Sequence, residues 1–222
     1  MNLFSGNKNN EAYKDYREIH TKEEAADFQK KVYGDYCSEY NQKVDRMKKY
    51  QYKYRQNFSN IPMEVYLGNM FSSLNGYMRG TYIPDDKLIP DFDTLIDKIN
   101  EIIFCAPPLP GNIVVYRAVS NNTIKKIMAQ VKEYESYMEN AFMSTSLLYE
   151  TVLKEFPSQS NILKIYVPEG AHVLGTDGIK DRDENEMLFS EKQWLKYIKQ
   201  YKDKAILRNI YEFELVNYNP GW

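Results

Sequence analysis

Residues 107–119, PPLPGNIVVYRAV, divide the chain into two parts of different character. Three prolines and a glycine oppose a helix here, and the β-branched run that follows predicts a strand over Ile113–Val119. Apolar residues recur every three or four positions before this stretch, whereas short alternating or β-branched runs follow it. Helices first and strands later predict an α+β fold in a single domain, mainly helical over 1–105 and mainly β over 106–222.

The helical part begins with Thr21, a plausible N-cap followed by two glutamates in the first turn. An apolar stripe predicts a helix from there to about residue 40; its members are Ala25, Phe28, Val32, Tyr36 and Tyr40. Further helical segments are expected over residues 42–56, 66–78 and 91–104. In the second part, strands are expected at Ile113–Val119, Ala141–Ser146, Ile162–Val167, Ala171–Leu174, Glu186–Ser190 and Ala205–Val216, with a helix over Thr123–Tyr137.

Composition excludes several classes of protein. The 222 residues are 43% hydrophobic and 27% charged, which excludes wholesale disorder, and no window resembles a membrane span. With 29 basic and 31 acidic side chains the net charge is −2, so no global attraction to nucleic acid is expected. Cys37 and Cys105 are too few for a disulfide framework and leave one bridge open. The polar segment 1–10 contains no apolar signal sequence.

Several familiar chemistries have no motif in this sequence. It contains neither a GxxxxGK[ST] phosphate-binding loop nor a GxGxxG turn, so P-loop and Rossmann-type nucleotide binding are not supported. His20 and His172 are isolated, and no spacing of Cys, His and carboxylates predicts a metal site. The number of tyrosines, 20, is unusually high. Tyrosine combines an apolar ring with a polar hydroxyl, which suits half-buried helix faces and wet clefts.

Polar groups interrupt three of the predicted strands. Alternation places Arg117 on the same face as Ile113 and Val115, where it needs an anion unless it reaches water at the strand end. Ser144 and Ser146 share a face at the end of another strand, where hydroxyls commonly bond local backbone. If extended, Glu184 and Glu186 project to one side roughly 7 Å apart. A solvated acidic loop is the alternative for this pair.

Taken in order, Arg on one strand, Ser-Thr-Ser on the next and Glu-x-Glu on a later one resembles the R–S–E pattern of mono-ADP-ribosyltransferases. The sequence is most similar to the bacterial exotoxin branch of binary-toxin enzymatic components and small single-domain exoenzymes, over about residues 66–216. Upstream, Tyr66, Phe71, Asn75 and Arg79 resemble that branch's NAD-contacting helix. The resemblance implies helices packed on two antiparallel β-sheets with NAD between them; plain core packing is the alternative for the helix.

The resemblance also implies roles for the residues. The nicotinamide of NAD is positively charged, so it leaves as a neutral molecule and needs no general acid. The transition state then resembles an oxocarbenium ion, and Glu186 would stabilise this positive charge. Ser144 would hold Glu186, and Arg117 would bind NAD phosphate as a fork-shaped donor. Around them, Thr145 and Ser146 would shape the pocket, the Ala118 peptide would clamp the nicotinamide amide, and Phe156 would occupy the place of the family's loop aromatic.

Glu184 would orient an acceptor arginine, since Glu at this position goes with arginine in the resembling family. The implied protein is therefore a monomeric toxin, secreted by a bacterium and acting on a host protein such as actin, with a separate delivery component in some relatives. NAD is the expected co-substrate, with no metal and no nucleic-acid partner. An NAD glycohydrolase, a catalytically silent binding module on the same fold and a nucleobase acceptor stay open as alternatives.

Two positions depart from the family's pattern. Gln159 stands where an arginine usually completes Phe-x-x-Arg, so phosphate binding would depend more on Arg117 and Arg79. Asp181 stands where the acceptor loop usually bears an aromatic, while Asn122 only weakly matches a family glutamine. The stretch Lys43–Arg55 holds six basic residues and suggests either a solvated helix face or contact with RNA, membrane or an acidic protein.

Overall fold

The computed structural model describes residues 13–51, 61–180 and 184–216, and confirms the α+β class. Its α-helices are α1 Lys22–Gln51, α2 Pro62–Val65, α3 Phe71–Met78, α4 Ile89–Cys105, α5 Asn121–Tyr134, α6 Tyr149–Glu155 and α7 Asp177–Lys180. The strands are β1 Ile113–Val119, β2 Ser136–Glu139, β3 Met143–Ser146, β4 Asn161–Val167, β5 Val173–Gly175, β6 Glu186–Phe189, β7 Gln193–Asp203 and β8 Arg208–Leu215.

Within the described residues the strands form one continuous hydrogen-bonded sheet, where two antiparallel sheets were expected. The order is β2-β7-β8-β4-β1-β3-β6-β5, and β4 and β8 run parallel. Two groups of strands are nevertheless recognisable, because β1 and β3 are joined by one pair, Tyr116 opposite Ser146. The three polar groups predicted from the sequence lie on the strands that meet around this junction.

Strand β1 has the predicted bounds and the predicted alternation. Ile113 and Val115 pack into the main core with the helices, whereas Val114 and Tyr116 pack into a smaller cluster on the opposite face. Arg117 therefore belongs to the helix-covered face, as its position in the alternation predicts. That placement turns its charge toward the interior.

Helix α1 is one continuous helix where two segments were expected. The Thr21 hydroxyl accepts a hydrogen bond from the Glu24 N–H at 3.1 Å, which confirms the N-cap. The buried stripe of this helix contains Ala25, Gln29, Tyr33 and Cys37. The predicted Val32 and Tyr36 each lie one position before a residue of this stripe and are half-buried. The basic stretch 43–55 lies on α1 as far as residue 51, and its remainder lies outside the described residues.

Residues 62–78 are helical but not uniformly so. A π-helical turn, Tyr66–Met70, separates α2 from α3 and shifts the register of the side chains that follow. π-Turns within helices are often found at functional sites. No described helix is long and apolar enough to cross a membrane. Cys37 and Cys105 are both free thiols.

Helix α1 packs against the end of β5 and α7 through polar contacts. The Gln29 side-chain amide donates to an Asp177 carboxylate oxygen at 3.2 Å, and the Glu186 N–H donates to the other oxygen at 3.3 Å. Burial and the nearby charge of Glu186 nevertheless raise the pKa of Asp177 from 3.8 to about 6. Between about pH 4 and pH 6, the Asp177 carboxyl group is therefore protonated in the folded protein and ionised in the unfolded chain.

The first prediction concerns this carboxyl group. Its contribution to the free energy of unfolding is complete below about pH 4 and is lost as the pH rises through about 6. Asp177→Asn cannot lose this contribution, because an amide does not ionise. As the pH rises from about 4 to about 6, the free energy of unfolding of the variant should therefore increase relative to that of the wild type. Urea unfolding of both proteins at pH 4, 5, 6 and 7 measures the difference. A difference that does not change with pH would contradict the prediction.

Candidate active site

A cavity of about 670 Å³ lies between α3, α6 and the strands β1, β3 and β6. Its volume is in the range of small-molecule and cofactor sites. It brings together every residue that the sequence singled out for the site: Tyr66, Phe71, Asn75, Arg79, Arg117, Ala118, Ser144, Thr145, Ser146, Phe156, Glu184 and Glu186. Their chemical roles remain predictions.

The cavity also has walls that sequence reasoning missed. These residues are Leu67, Ser72, Gly76, Thr81, Tyr116, Phe142, Thr151, Val152 and Glu155. Tyr116 and Phe142 immediately precede residues of the predicted pattern; the position of Tyr116 before Arg117 already suggested that it lies near the cavity, although it was not named as a site residue. Thr151 and Val152 lie on α6, for which the sequence analysis predicts no helix.

Glu139 is the most important group that the sequence analysis missed. It is 4% exposed at the end of β2 and pairs with two guanidiniums: Arg79 Nε lies 2.9 Å from Oε1, and Arg117 Nη1 lies 3.8 Å from Oε2. Burial alone would raise the pKa of Glu139, but the charges of Arg117 and Arg79 hold it below its ordinary value. The anion required by Arg117 is thus supplied by the protein itself.

The Arg117 guanidinium is still incompletely satisfied. Its Nη1 is buried and has no hydrogen-bond partner among the described residues, because 3.8 Å to Glu139 is an ion-pair distance and too long for a hydrogen bond. Within the same part of the chain, the buried Asn75 Oδ1 atom has no hydrogen-bond partner either. Buried polar atoms without partners cost free energy, so a donor and an acceptor on the wall of one cavity favour a polar ligand.

The π-turn anchors the helical wall. Tyr66 is 2% exposed, its ring packs edge-on against Phe142 with centroids 5.2 Å apart, and its hydroxyl accepts a hydrogen bond from Asn75 Nδ2 at 3.1 Å. Burial raises the pKa of Tyr66, so the hydroxyl is neutral. These contacts place the Asn75 amide on the cavity wall.

The Ser-Thr-Ser segment forms the wall opposite. Thr145 Oγ1 donates to the Met187 carbonyl at 2.8 Å, which ties β3 to β6. Ser146 Oγ donates to the Glu184 carbonyl at 3.1 Å and accepts from the Leu148 N–H. Ser144 is exposed on the same strand. Two of the three hydroxyls thus hold backbone in place.

Glu186 is 4% exposed at the start of β6, opposite Ser146. Its Oε2 accepts a hydrogen bond from Thr176 Oγ1 at 2.7 Å. Ser144, which the sequence analysis expects to support this carboxylate, lies opposite Leu188 in the register of the two strands, and its role stays a prediction. Thr176 carried no signal in the sequence, because a threonine after a short strand is ordinary.

The segment between the two glutamates is not extended, so that expectation is wrong. Asn185 has φ 51°, a left-handed conformation that asparagine tolerates better than most residues. Its carbonyl accepts the Leu147 N–H at 3.0 Å, which fixes the turn against the end of β3. As a result Glu184 is exposed while Glu186 is buried, although both line the cavity.

Two aromatic rings stand at the rim. Phe71 and Phe156 are each 51% exposed, which leaves their faces available to a planar group. With two guanidiniums, the half-buried Asn75 amide and carboxylates, the cavity provides partners for phosphates, planar rings and ribose hydroxyls. A nicotinamide dinucleotide therefore fits the residues present. No three His, Cys, Asp or Glu side chains among the described residues form a metal-binding group.

The two departures from the family's pattern have different outcomes. The Gln159 carbonyl accepts a hydrogen bond from Arg208 Nη1, and Arg208 Nη2 donates to the Pro157 carbonyl at 2.6 Å. The Arg208 guanidinium thus holds the backbone of the loop that contains Pro157 and Gln159. Asp181 lies outside the described residues.

Comparisons with solved structures show the same fold in bacterial toxins. The chain is similar to Plx2a, an ADP-ribosyltransferase toxin from Paenibacillus larvae, at 21% identity and a TM-score of 0.66, covering 90% of this chain and 99% of that one. It is similar to C3stau2 from S. aureus, solved with NAD, at 14% identity and a TM-score of 0.68, covering 92% and 100%.

A third structure is part of a larger protein. BECa, the ADP-ribosylating toxin of a binary enterotoxin of C. perfringens, was solved with NADH; it shares 15% identity and a TM-score of 0.66 over 91% of this chain and 50% of its own. No curated protein sequence matches the chain. The ADP-ribosyltransferase exoenzyme family, in contrast, matches residues 9–212. The chain therefore belongs to the ADP-ribosyltransferase exoenzyme family, whose NAD-dependent transfer of ADP-ribose is its activity.

Proposed function

We propose that this enzyme transfers ADP-ribose from NAD to the guanidinium of a protein arginine and releases nicotinamide. The observation that carries the proposal is the division between the two glutamates: Glu186 is buried and held by Thr176, whereas Glu184 is exposed on the same cavity. A buried, fixed carboxylate suits work on a bound substrate, and an exposed carboxylate suits an acceptor that arrives from outside.

Glu186 acts on the sugar. When the bond between the ribose C1′ and the nicotinamide nitrogen breaks, the electron pair goes to the nicotinamide ring, which leaves neutral. Positive charge then develops on the ribose, and a fixed carboxylate nearby stabilises it. Because Glu186 is already desolvated by the fold, little reorganisation is needed as this charge forms.

Glu184 acts on the acceptor. An arginine guanidinium is protonated at any physiological pH and is a poor nucleophile until a carboxylate orients it and takes a proton. The nitrogen of that arginine then forms the new bond to C1′, and Glu184 receives the proton. An exposed carboxylate at the mouth of the cavity suits this role.

The opposite wall binds the diphosphate. Arg79 and Arg117 carry two positive charges against the single negative charge of Glu139, so this wall keeps one net positive charge. The buried Arg117 Nη1 gains a hydrogen-bond partner when a phosphate oxygen arrives. Ser144 and the Ala118 peptide complete the nicotinamide side, while Phe71 and Phe156 contact planar rings at the rim.

Water in place of the arginine makes the same site an NAD glycohydrolase, and the cavity's opening to solvent beside Glu184 favours this as a side reaction. We propose a host protein, with actin as one candidate, as the target of a secreted toxin. Because BECa belongs to a binary enterotoxin, we include a separate delivery component in this proposal.

The second prediction separates the two glutamates. Glu186→Gln should reduce both nicotinamide release and label transfer by about 100-fold or more, because the charge that stabilises the transition state is lost. Glu184→Gln should lose transfer to protein by a similar factor but keep much of the NAD hydrolysis. Incubation with labelled NAD and host-cell lysate measures transfer, and chromatography measures nicotinamide. Equal loss of both activities in Glu184→Gln would contradict the division of roles.

The third prediction identifies the acceptor. Mass spectrometry of the labelled lysate should find ADP-ribose on arginine residues, and the label should be lost with protease and survive nuclease. Loss of the label with nuclease and its survival after protease would instead mean a nucleobase acceptor. Absence of nicotinamide release above background from the wild type would leave a binding module on the same fold.

The fourth prediction concerns the diphosphate wall. Arg117→Lys keeps the charge but loses the planar fork, so the KM for NAD should rise about tenfold with a smaller change in kcat. Arg46→Lys, on the exposed face of α1, is the matched control and should leave both constants unchanged. Initial-rate measurements of nicotinamide release give both constants. An unchanged KM in Arg117→Lys would remove Arg117 from phosphate binding.

A further inference from the structure

A polar network lies behind Glu186, on the side away from the cavity. Thr176 is fully buried and donates to Glu186 Oε2 at 2.7 Å. Asp177 accepts from the Glu186 N–H at 3.3 Å and from the Asn185 side-chain amide at 3.4 Å. The side chain and the backbone of Glu186 are therefore both held by two consecutive residues, Thr176 after β5 and Asp177 at the start of α7.

Helix α1 completes this network through Gln29. The residue is 4% exposed and interrupts a buried stripe that otherwise contains Ala25, Tyr33 and Cys37. Its Nε2 donates to Asp177 Oδ2 at 3.2 Å and to the Glu186 carbonyl at 3.4 Å, and its Oε1 accepts the Asp177 N–H at 3.3 Å. Both ends of the buried amide are thus used on the segment that holds Glu186.

Gly175 permits this close approach. A Cβ at Gly175 would lie 2.5 Å from Gln29 Oε1 and 2.7 Å from Tyr33 Cδ2, distances that real Cβ atoms do not show. Only glycine therefore lets α1 come near enough for Gln29 to bond Asp177 without a shift. The sequence Gly175-Thr176-Asp177 thus combines one close approach with two hydrogen-bonding side chains.

We propose that Thr176, with Asp177 and Gln29 behind it, positions the Glu186 carboxylate for the reaction; the inference rests on the proposed catalytic role of Glu186. Among the described residues that line the cavity, none is Thr176, Asp177 or Gln29. These three residues therefore act through Glu186 and do not touch NAD. A defect in them appears in kcat and leaves the KM for NAD almost unchanged.

The network also explains how the orientation of a buried carboxylate can be fixed. A hydrogen bond to a charged group is roughly twice as strong as one between neutral groups, and a partner that is itself buried cannot rotate away into water. The Thr176 hydroxyl meets both conditions. Its role is directional: it selects one orientation of the carboxylate.

The test compares Thr176→Val, which keeps the shape and loses the hydroxyl, with Thr176→Ser, which keeps the hydroxyl. The kcat of nicotinamide release should fall about tenfold in Thr176→Val, with the KM for NAD within about twofold of wild type. Thr176→Ser should restore most of the rate. Ser190→Ala is the matched control, because Ser190 is a buried hydroxyl with a hydrogen-bond partner, Gln193, beyond the end of β6 and outside the cavity.

Gln29→Met tests the α1 side of the network and provides a second variant if Thr176→Val unfolds. It should lower kcat several-fold at unchanged KM while thermal unfolding shows a folded protein. Wild-type kcat in both Thr176→Val and Gln29→Met would overturn the inference. A rise in KM with unchanged kcat would also overturn it, because that result indicates contact with NAD.

Two further measurements separate this inference from the proposed function. Crystal structures of the wild type and Thr176→Val should show the Glu186 carboxylate in different orientations; the same orientation in both overturns the positioning role, whatever the activity. If Glu186→Gln keeps full nicotinamide release, the proposed catalytic role of Glu186 fails by itself, independently of the orientation in the two crystals.

Discussion

The ion pairs of Glu139 are the interaction on which the arrangement of the cavity depends. Glu139 is a buried carboxylate on β2 that meets Arg79 from the end of α3 and Arg117 from β1, so one side chain joins three elements distant in sequence. Such a group is costly to bury unless it is well paired, and removing one partner from a buried pair typically costs about 3–5 kcal/mol. The Tyr137 hydroxyl and the Ala141 N–H donate to the same carboxylate, which satisfies its remaining capacity. The helical wall of the cavity is thereby fixed relative to the sheet.

The same interaction explains how a chain of net charge −2 can bind a dinucleotide. Charges are separated across the cavity: Arg79 and Arg117 stand on one wall, and Glu184 and Glu186 stand on the other. NAD is complementary to such a separation, since its diphosphate is negative and its nicotinamide ring is positive. Overall charge therefore says little about this site, and the local pattern decides it.

The sequence predicted the fold class, the bounds of β1 and the set of residues that the cavity brings together. These successes have two causes. Alternation makes a polar residue such as Arg117 conspicuous within an apolar strand and makes its face predictable, whereas Ser144, Glu186 and the residues of the upstream helix were assigned to the site by the resemblance to the R–S–E pattern. The single sheet was not predictable, since the pairing of Tyr116 with Ser146 and the parallel pairing of β4 with β8 join segments far apart in the chain. Strand β2 was missed because residues 136 and 137 were absorbed into the preceding helix, and Glu139 was missed with it.

Thr176, Asp177 and Gln29 were invisible for a different reason. Each residue obeys the local rules of its own position: threonine ends a strand, aspartate begins the short helix α7 and glutamine is an ordinary helix former. Their significance arises only where α1 meets β5 and α7, and Gly175 sets how closely these elements approach. Sequence patterns reveal residues that contradict their secondary structure. Residues that conform to their secondary structure and act through tertiary contacts can be identified only from the three-dimensional structure. For this reason a carboxylate such as Glu186 is easier to predict than the groups that hold it.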